Sequence, residues 1–244
     1  MQIVRSTLLK NYNNIIFGIS TKIGLNRNAP FYFNMSLTVG DKPEIVWENR
    51  TAFAKELGLG IEQIAFQKQI HSDIITIIDK PGTIENSDAM ITSKEVIGLA
   101  ISTADCTPIF IYDFHNRVIA AVHSGWRGTQ KKILAKTLIK LKNDYNSKPD
   151  DLIVFAGPSI SQKNYKVGEE VASLFDSKYV ITESNKFYLN VLSANVDMLF
   201  DFGISKSNIE ISPLCSYGDK FFHSFRRDGE KSGRALGIIA IREK

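Results

Sequence analysis

A mixed α+β fold, with largely antiparallel sheets packed against helices, is what this sequence predicts, and three observations predict it. Short apolar, β-rich runs succeed one another through short polar turns, which favours antiparallel pairing. Few segments carry a helical period, so the regular strand–helix alternation of a doubly wound sheet is missing. No Pro/Gly/Ser-rich linker divides the 244 residues, so residues 1–244 are expected to form a single domain. A hydrophobic content of 43% is enough for a full core at this length.

The elements follow in order. Residues 14–20 predict the first strand. Residues 43–57 predict a helix: Asp41 precedes it, Pro43 suits a first turn, and Gly58 suits the stop. Residues 65–78 are β-rich, and their alternation puts Gln67, Gln69 and His71 on one face. Residues 96–102, 108–112 and 118–123 read as short apolar strands. A second helix is expected over about 129–144, because Ile133, Leu134, Thr137, Leu138 and Leu141 fall on one stripe. Residues 152–156 form a strand stopped by Gly157-Pro158. Residues 167–175 and 193–202 look helical, the second ended by Gly203. Residues 209–214 and 235–241 close the chain as strands.

Charge and composition narrow the function. Thirty basic against 26 acidic residues leave +4, too weak and too dispersed for a nucleic-acid footprint. The lysines between Lys131 and Lys142 alternate with apolar residues and read as a solvated helix face. No window is long and apolar enough to span a bilayer, and residues 1–10 do not read as a secretory signal. Two cysteines, Cys106 and Cys215, make no disulfide framework, so a cytoplasmic protein is expected. The sequence carries no sign of the oligomeric state.

Four histidines occur: His71, His115, His123 and His223. The tetrad Asp113-Phe114-His115-Asn116 lies between two strands and predicts a hairpin. Symmetry about Phe114 and His115 would set Cys106 directly opposite His123, with Cβ atoms about 4.5–5.5 Å apart. Such a pair could share a proton or a metal ion. Alone, a cysteine is usually a small buried hydrophobe and a strand-end histidine a surface or core residue. After His123, the turn Ser124-Gly125-Trp126-Arg127-Gly128 leads into a helix, and Arg127 adds a fixed cation where an anion would be welcome. No phosphate-loop or dinucleotide fingerprint is present. His115 is expected at an exposed turn tip, His223 has no assigned role, and Cys215 reads as packing.

On these residues the chain resembles the YfiH-type family, labelled multicopper polyphenol oxidoreductase or laccase-domain protein and reassigned as purine nucleoside phosphorylase. Asn34-Met35-Ser36 with Gly40-Asp41, then Asn49-Arg50 and Gln69-Ile70-His71, resemble its early motifs. Asp88 with Ile91-Thr92 follows, Ala89 standing where the family usually has glycine. Thr103-Ala104-Asp105-Cys106-Thr107-Pro108 and His123-Ser124-Gly125-Trp126-Arg127-Gly128-Thr129 match closely, and Gly157-Pro158, Val167-Gly168-Glu169-Glu170-Val171 and Ser224-Phe225-Arg226-Arg227-Asp228-Gly229 come in family order.

The resemblance implies a YfiH-like fold and one zinc ion on His71, Cys106 and His123, which would also be the catalytic residues. Three protein ligands leave a fourth position open, as catalytic zinc requires, and water held there ionises near neutral pH. It implies purine nucleosides and phosphate as partners: phosphorolysis of adenosine, inosine and 5′-methylthioadenosine, with adenosine deamination beside it. Arg50, Arg127 and Arg227 are the expected phosphate or ribose contacts, with Arg226 weighed beside Arg227. The same residues admit a second reading, in which Cys106 is a thiolate nucleophile and His123 its base, in a hydrolase acting on an amide such as a cell-wall precursor. Copper can displace zinc on a soft thiolate in vitro, but four histidines cannot populate the several copper sites of a polyphenol oxidase. A non-enzymatic zinc module would need a closed set of four ligands.

Overall fold

Alternation along the strands sets the layering of the computed structural model, which describes residues 1–243. On the strand Thr107–Asp113, Phe110 and Tyr112 face one way, Ile109 and Ile111 the other, and the two sets join different buried clusters. Phe110 and Tyr112 meet Phe17, Leu99 and Ile239 of a facing sheet. Ile109 and Ile111 meet Leu134, Leu138 and Leu141 of the helix Ile133–Tyr145. On the facing sheet, Phe66, Ala100 and Ile238 turn outward onto Phe53 and Ala54 of the helix Pro43–Glu56. Four layers result, helix–sheet–sheet–helix, with a main core between two six-stranded sheets.

The first sheet runs Ile3–Val4, Ile15–Ser20, Ala235–Ile241, Gly98–Thr103, Ile64–Gln67, Gly82–Ile84; the second runs Ile209–Ile211, Leu152–Ala156, Thr107–Asp113, Val118–Ser124, Ala89–Thr92, Ile75–Ile77. A small third sheet holds Lys166–Val167, Lys186–Leu189 and Val180–Glu183. The mixed α+β class is as expected, and most pairs are antiparallel. Parallel pairs nevertheless join Ile64–Gln67 to both Gly98–Thr103 and Gly82–Ile84, and Ile75–Ile77 to Ala89–Thr92. Their cause is topological. From residue 64 to 113 the chain alternates between the two sheets, so each return to a sheet comes by way of the other.

Several expected elements are corrected. The β-rich run 65–78 breaks: the strand ends at Gln67, His71 takes a left-handed backbone with φ +58°, and the next strand is Ile75–Ile77. Gln67, Gln69 and His71 therefore share no strand face. The expected 129–144 helix divides into Trp126–Gln130 and Ile133–Tyr145, because Lys132 is also left-handed, with φ +60°. Its predicted stripe is buried throughout. Of 167–175 only Glu169–Ala172 is helical, since Val167 pairs with Phe187 in the third sheet. The 209–214 strand stops at Ile211, just before Pro213, which cannot donate to a ladder. The helix Pro43–Glu56 ends as predicted, at a Gly58 with φ +79°, and 193–202 is the helix Val191–Asp201, whose first turn donates the Ser193 N–H to the Asn190 side chain.

Candidate metal centre

Two of the three candidate ligands lie on crossovers between the sheets. His71 is on the passage from Ile64–Gln67 to Ile75–Ile77, Cys106 on that from Gly98–Thr103 to Thr107–Asp113, and His123 near the end of Val118–Ser124. The hairpin that brings Cys106 to His123 has a different register from the symmetric one. Asp113 pairs with Val118 and Pro108 with His123, so the turn is 114–117. The Asp113 carboxylate accepts the N–H groups of His115 and Asn116, and Arg117 closes the turn with φ +53°. Direct opposition of Cys106 and His123 is thus corrected by two residues. A shift of two keeps every side chain on its face, so the two still converge, with Cys106 just beyond the ladder.

The ligand atoms of His71, Cys106 and His123 all lie within 4.8 Å of one another, and Cys106 Sγ is 4.0 Å from His71 Nε2. The imidazole rings stand edge to face, centroids 4.9 Å apart. Asp88, fully buried, holds two of the three residues. Its carboxylate accepts the N–H groups of Ile70, His71 and Ser72 (3.2, 3.1 and 2.6 Å) and the Ser72 hydroxyl (2.7 Å), which steadies the left-handed turn. His123 Nδ1–H donates to Asp88 Oδ1 (2.9 Å), leaving Nε2 as the available nitrogen. Behind Cys106, the Asp105 carboxylate accepts the Ser216 hydroxyl (2.6 Å) and the Arg226 N–H (2.7 Å), fastening a later loop and the short helix Phe225–Asp228 to the turn. A side chain at Gly125 would put its Cβ 2.8 Å from Cys106 Sγ. Only glycine leaves this cradle open.

The charges reinforce one another. Burial would raise the Cys106 thiol, but the charge and hydrogen bond of His123, aided by His71, bring it down to about 6. Burial would lower His123, but Cys106 and Asp88 carry it up to about 9. Burial works against Asp88 too, yet His123 and Ser72 lower it to about 2. Thiolate, imidazolium and carboxylate make one coupled chain. The donor set fits a metal: one sulfur and two imidazoles suit a borderline-soft divalent ion, and ligand bonds of about 2.0–2.3 Å call for only a small contraction.

The three residues lie in a cleft of about 610 Å³ that also exposes Arg50, Arg127, Arg226 and Arg234. Each guanidinium stacks on an aromatic ring: Arg50 on Phe66 (4.4 Å) and Trp47 (5.1 Å), Arg127 on Trp126, Arg226 on Tyr165, Arg234 on Phe225. Among the described residues none of the four pairs with a carboxylate. Arg50 is only 9% exposed, donates Nε–H to the Met35 carbonyl (2.7 Å), and is lowered to about 10 by burial, so it remains a cation at neutral pH.

Of the expected substrate contacts, Arg50 and Arg127 reach this cleft. Arg227 does not. Its guanidinium donates to the carbonyls of Ser216, Tyr217 and Phe222 and pairs with Asp228, so it holds loops together. Arg234 and Tyr165 line the cleft without having been foreseen, and Gln67, which alternation grouped with Gln69 and His71 but which no motif marks, lines it too. His115 is exposed as expected. His223 is buried, with Nε2 3.4 Å from the Phe33 carbonyl, and burial lowers it to about 3. Cys215 is a free, partly buried thiol outside the cleft. Among the described residues no helix is long and apolar enough to cross a membrane.

Known proteins resemble this chain in sequence and in fold. A protein of Bacteroides thetaiotaomicron named purine nucleoside phosphorylase is 31% identical over 254 residues, covering 96% of this chain and 94% of that one. A Clostridium acetobutylicum protein of the same name is 36% identical over 183 residues, covering 73% and 77%. Crystal structures of YlmD from Geobacillus stearothermophilus (TM-score 0.92, 26% identity, 100% of this chain and 97% of that one) and of the hypothetical protein YfiH from Bacillus licheniformis (TM-score 0.90, 28% identity, 96% and 95%) have the same fold. The family described as multi-copper polyphenol oxidoreductase laccase matches residues 17–242, and the chain belongs to that family.

Proposed function

We propose that this chain is a zinc-dependent purine nucleoside phosphorylase that takes adenosine, inosine and 5′-methylthioadenosine and also deaminates adenosine. The observation that carries the reading is the His71–Cys106–His123 cluster in a cleft whose four arginines have no carboxylate partners. The names of the relatives point the same way. Phosphorolysis breaks the bond from C1′ to N9, whose electron pair leaves with the base, and joins a phosphate oxygen to C1′; the base then takes up a proton. Such a reaction needs a dianion held beside a neutral nucleoside, and fixed cations in a desolvated cleft do that without reorganising. Arg50 is the leading phosphate contact, because it is buried, stacked and unpaired. Arg127, Arg226 and Arg234 can share the anion. When bound by His71, Cys106 and His123, a zinc ion supplies Lewis acidity at an open position and lowers the pKa of water there. A cytoplasmic enzyme accords with the two free thiols.

The test is release of free adenine or hypoxanthine from nucleoside only when phosphate is present. Cys106→Ala should lower kcat/KM by more than the roughly 10–100-fold that loss of a ligand's hydrogen-bond partner costs. Full activity in that variant would overturn the reading.

A second reading, an amide hydrolase, draws on the series Cys106, His123, Asp88: the His123 charge lowers the thiol and Asp88 Oδ1 accepts from His123 Nδ1 (2.9 Å), and a thiolate beside a histidine so oriented is an activated nucleophile. Alkylation separates the two. Under the phosphorylase reading, zinc shields Cys106 from iodoacetamide and restores activity to metal-free protein. Rapid loss of a phosphate-independent amidase activity on alkylation, with no rescue by zinc, would favour the hydrolase. Copper oxidase chemistry draws least support: His71, Cys106 and His123 are the one such donor cluster among the described residues.

A further inference from the structure

We infer that Gln67 reads the N1–C6 edge of the purine base, an inference that rests on the nucleoside reading of the same cleft. Gln67 ends the strand Ile64–Gln67, one residue after the Phe66 on which the Arg50 guanidinium stacks, and lines the cleft. Both its amide atoms, Oε1 and Nε2, are shut off from solvent and have no hydrogen-bond partner. Among the described residues the only other buried side-chain polar atom in that condition is the Ser147 hydroxyl, outside the cleft. Buried amides are almost always satisfied, because an unmade bond leaves the full desolvation cost standing. The neighbouring Gln69 shows the ordinary case. Its Oε1 accepts the Ser102 N–H (2.8 Å) and hydroxyl (3.0 Å), and its Nε2 donates to the Ser102 carbonyl (2.8 Å).

An amide with no hydrogen bond to break can turn toward a ligand without giving up a partner. It also carries one donor and one acceptor side by side. Adenine offers an acceptor at N1 beside a donor on the 6-amino group; hypoxanthine offers a donor at N1 beside an acceptor at O6. A half-turn of the terminal amide fits it to either edge. A carboxylate has no donor and a guanidinium no acceptor, so neither could do both. Gln69, fixed at both ends, cannot turn.

The experiment compares wild type, Gln67→Leu and the near-isosteric Gln67→Glu in the full-length protein. Phosphorolysis of adenosine, inosine and purine riboside (which lacks a C6 substituent) would be measured, with binding of adenine and hypoxanthine by calorimetry, metal content and melting temperature. Both variants should lose about 10–100-fold in kcat/KM on adenosine and inosine alike, mostly through KM, and less on purine riboside, which keeps only the N1 contact. Base binding should weaken in parallel while metal content holds. Equal losses on all three nucleosides, unchanged kinetics, or a loss that merely follows reduced metal or melting temperature would overturn the inference. If wild type binds both bases but cleaves no nucleoside, the phosphorylase reading fails while the role of Gln67 is still decided by the binding arm. If it neither cleaves nor binds, both fall.

Discussion

Asp88 touches both histidines of the cluster, and its replacement separates position from charge. The carboxylate gathers three N–H groups, a hydroxyl and the His123 Nδ1–H. An asparagine has one acceptor oxygen for that set and turns an NH2 toward the other donors. Asp88→Asn should therefore loosen the left-handed turn at His71 and free the His123 ring, lowering metal affinity about 10–100-fold. Competition with a chromophoric chelator reads the affinity, and circular dichroism checks the fold; an unchanged affinity would remove Asp88 from this role. Single residues were unequally legible in the sequence. His71, Cys106 and His123 stand in motifs and converge as expected. Arg226 and Arg227 are adjacent and chemically identical, and only the short helix Phe225–Asp228 decides that one faces the cleft while the other braces carbonyls. Gln67 could not be singled out, because a missing partner is visible only when the neighbours are in place.

Elements were legible wherever the hydrophobic period was uninterrupted. The stripe on Ile133–Tyr145 and the glycine after Pro43–Glu56 fall where the pattern puts them. Three of the departures share a cause: left-handed backbone at residues other than glycine. His71, Arg117 and Lys132 have φ of +58°, +53° and +60°, and these break a strand, set a hairpin register and divide a helix. Such conformations cost of the order of 1–2 kcal/mol for an L-residue and carry no compositional mark. At His71 the compensation comes from Asp88, and in the 114–117 turn from Asp113. Gly125 is the opposite case. Its glycine is plain in the sequence, but the reason, a thiol that a Cβ would crowd, is tertiary.

At the scale of the whole molecule, the cluster lies where the chain shuttles between its sheets, so an ion bound there links segments of both. Anything that binds the folded chain alone stabilises it by mass action, by about 2.7 kcal/mol at a hundred times Kd. For a chain of this length that corresponds to a rise in Tm of about 5–11 °C. Protons and the ion compete for the same atoms, which sets the sign of the pH dependence. Between about 6 and about 9 Cys106 is already a thiolate, and the ion displaces the proton of His123. Affinity therefore rises roughly tenfold per pH unit there. Below about 6 the Cys106 proton must leave as well, and affinity falls more steeply as the pH drops. Added zinc should raise the Tm of metal-free protein clearly at pH 8, much less at pH 5, and not at all in Cys106→Ala. Differential scanning calorimetry at the two pH values checks this. An equal zinc shift at both, or one that survives in Cys106→Ala, would mean that the ion is held by other groups and that the junction of the sheets is not the metal site.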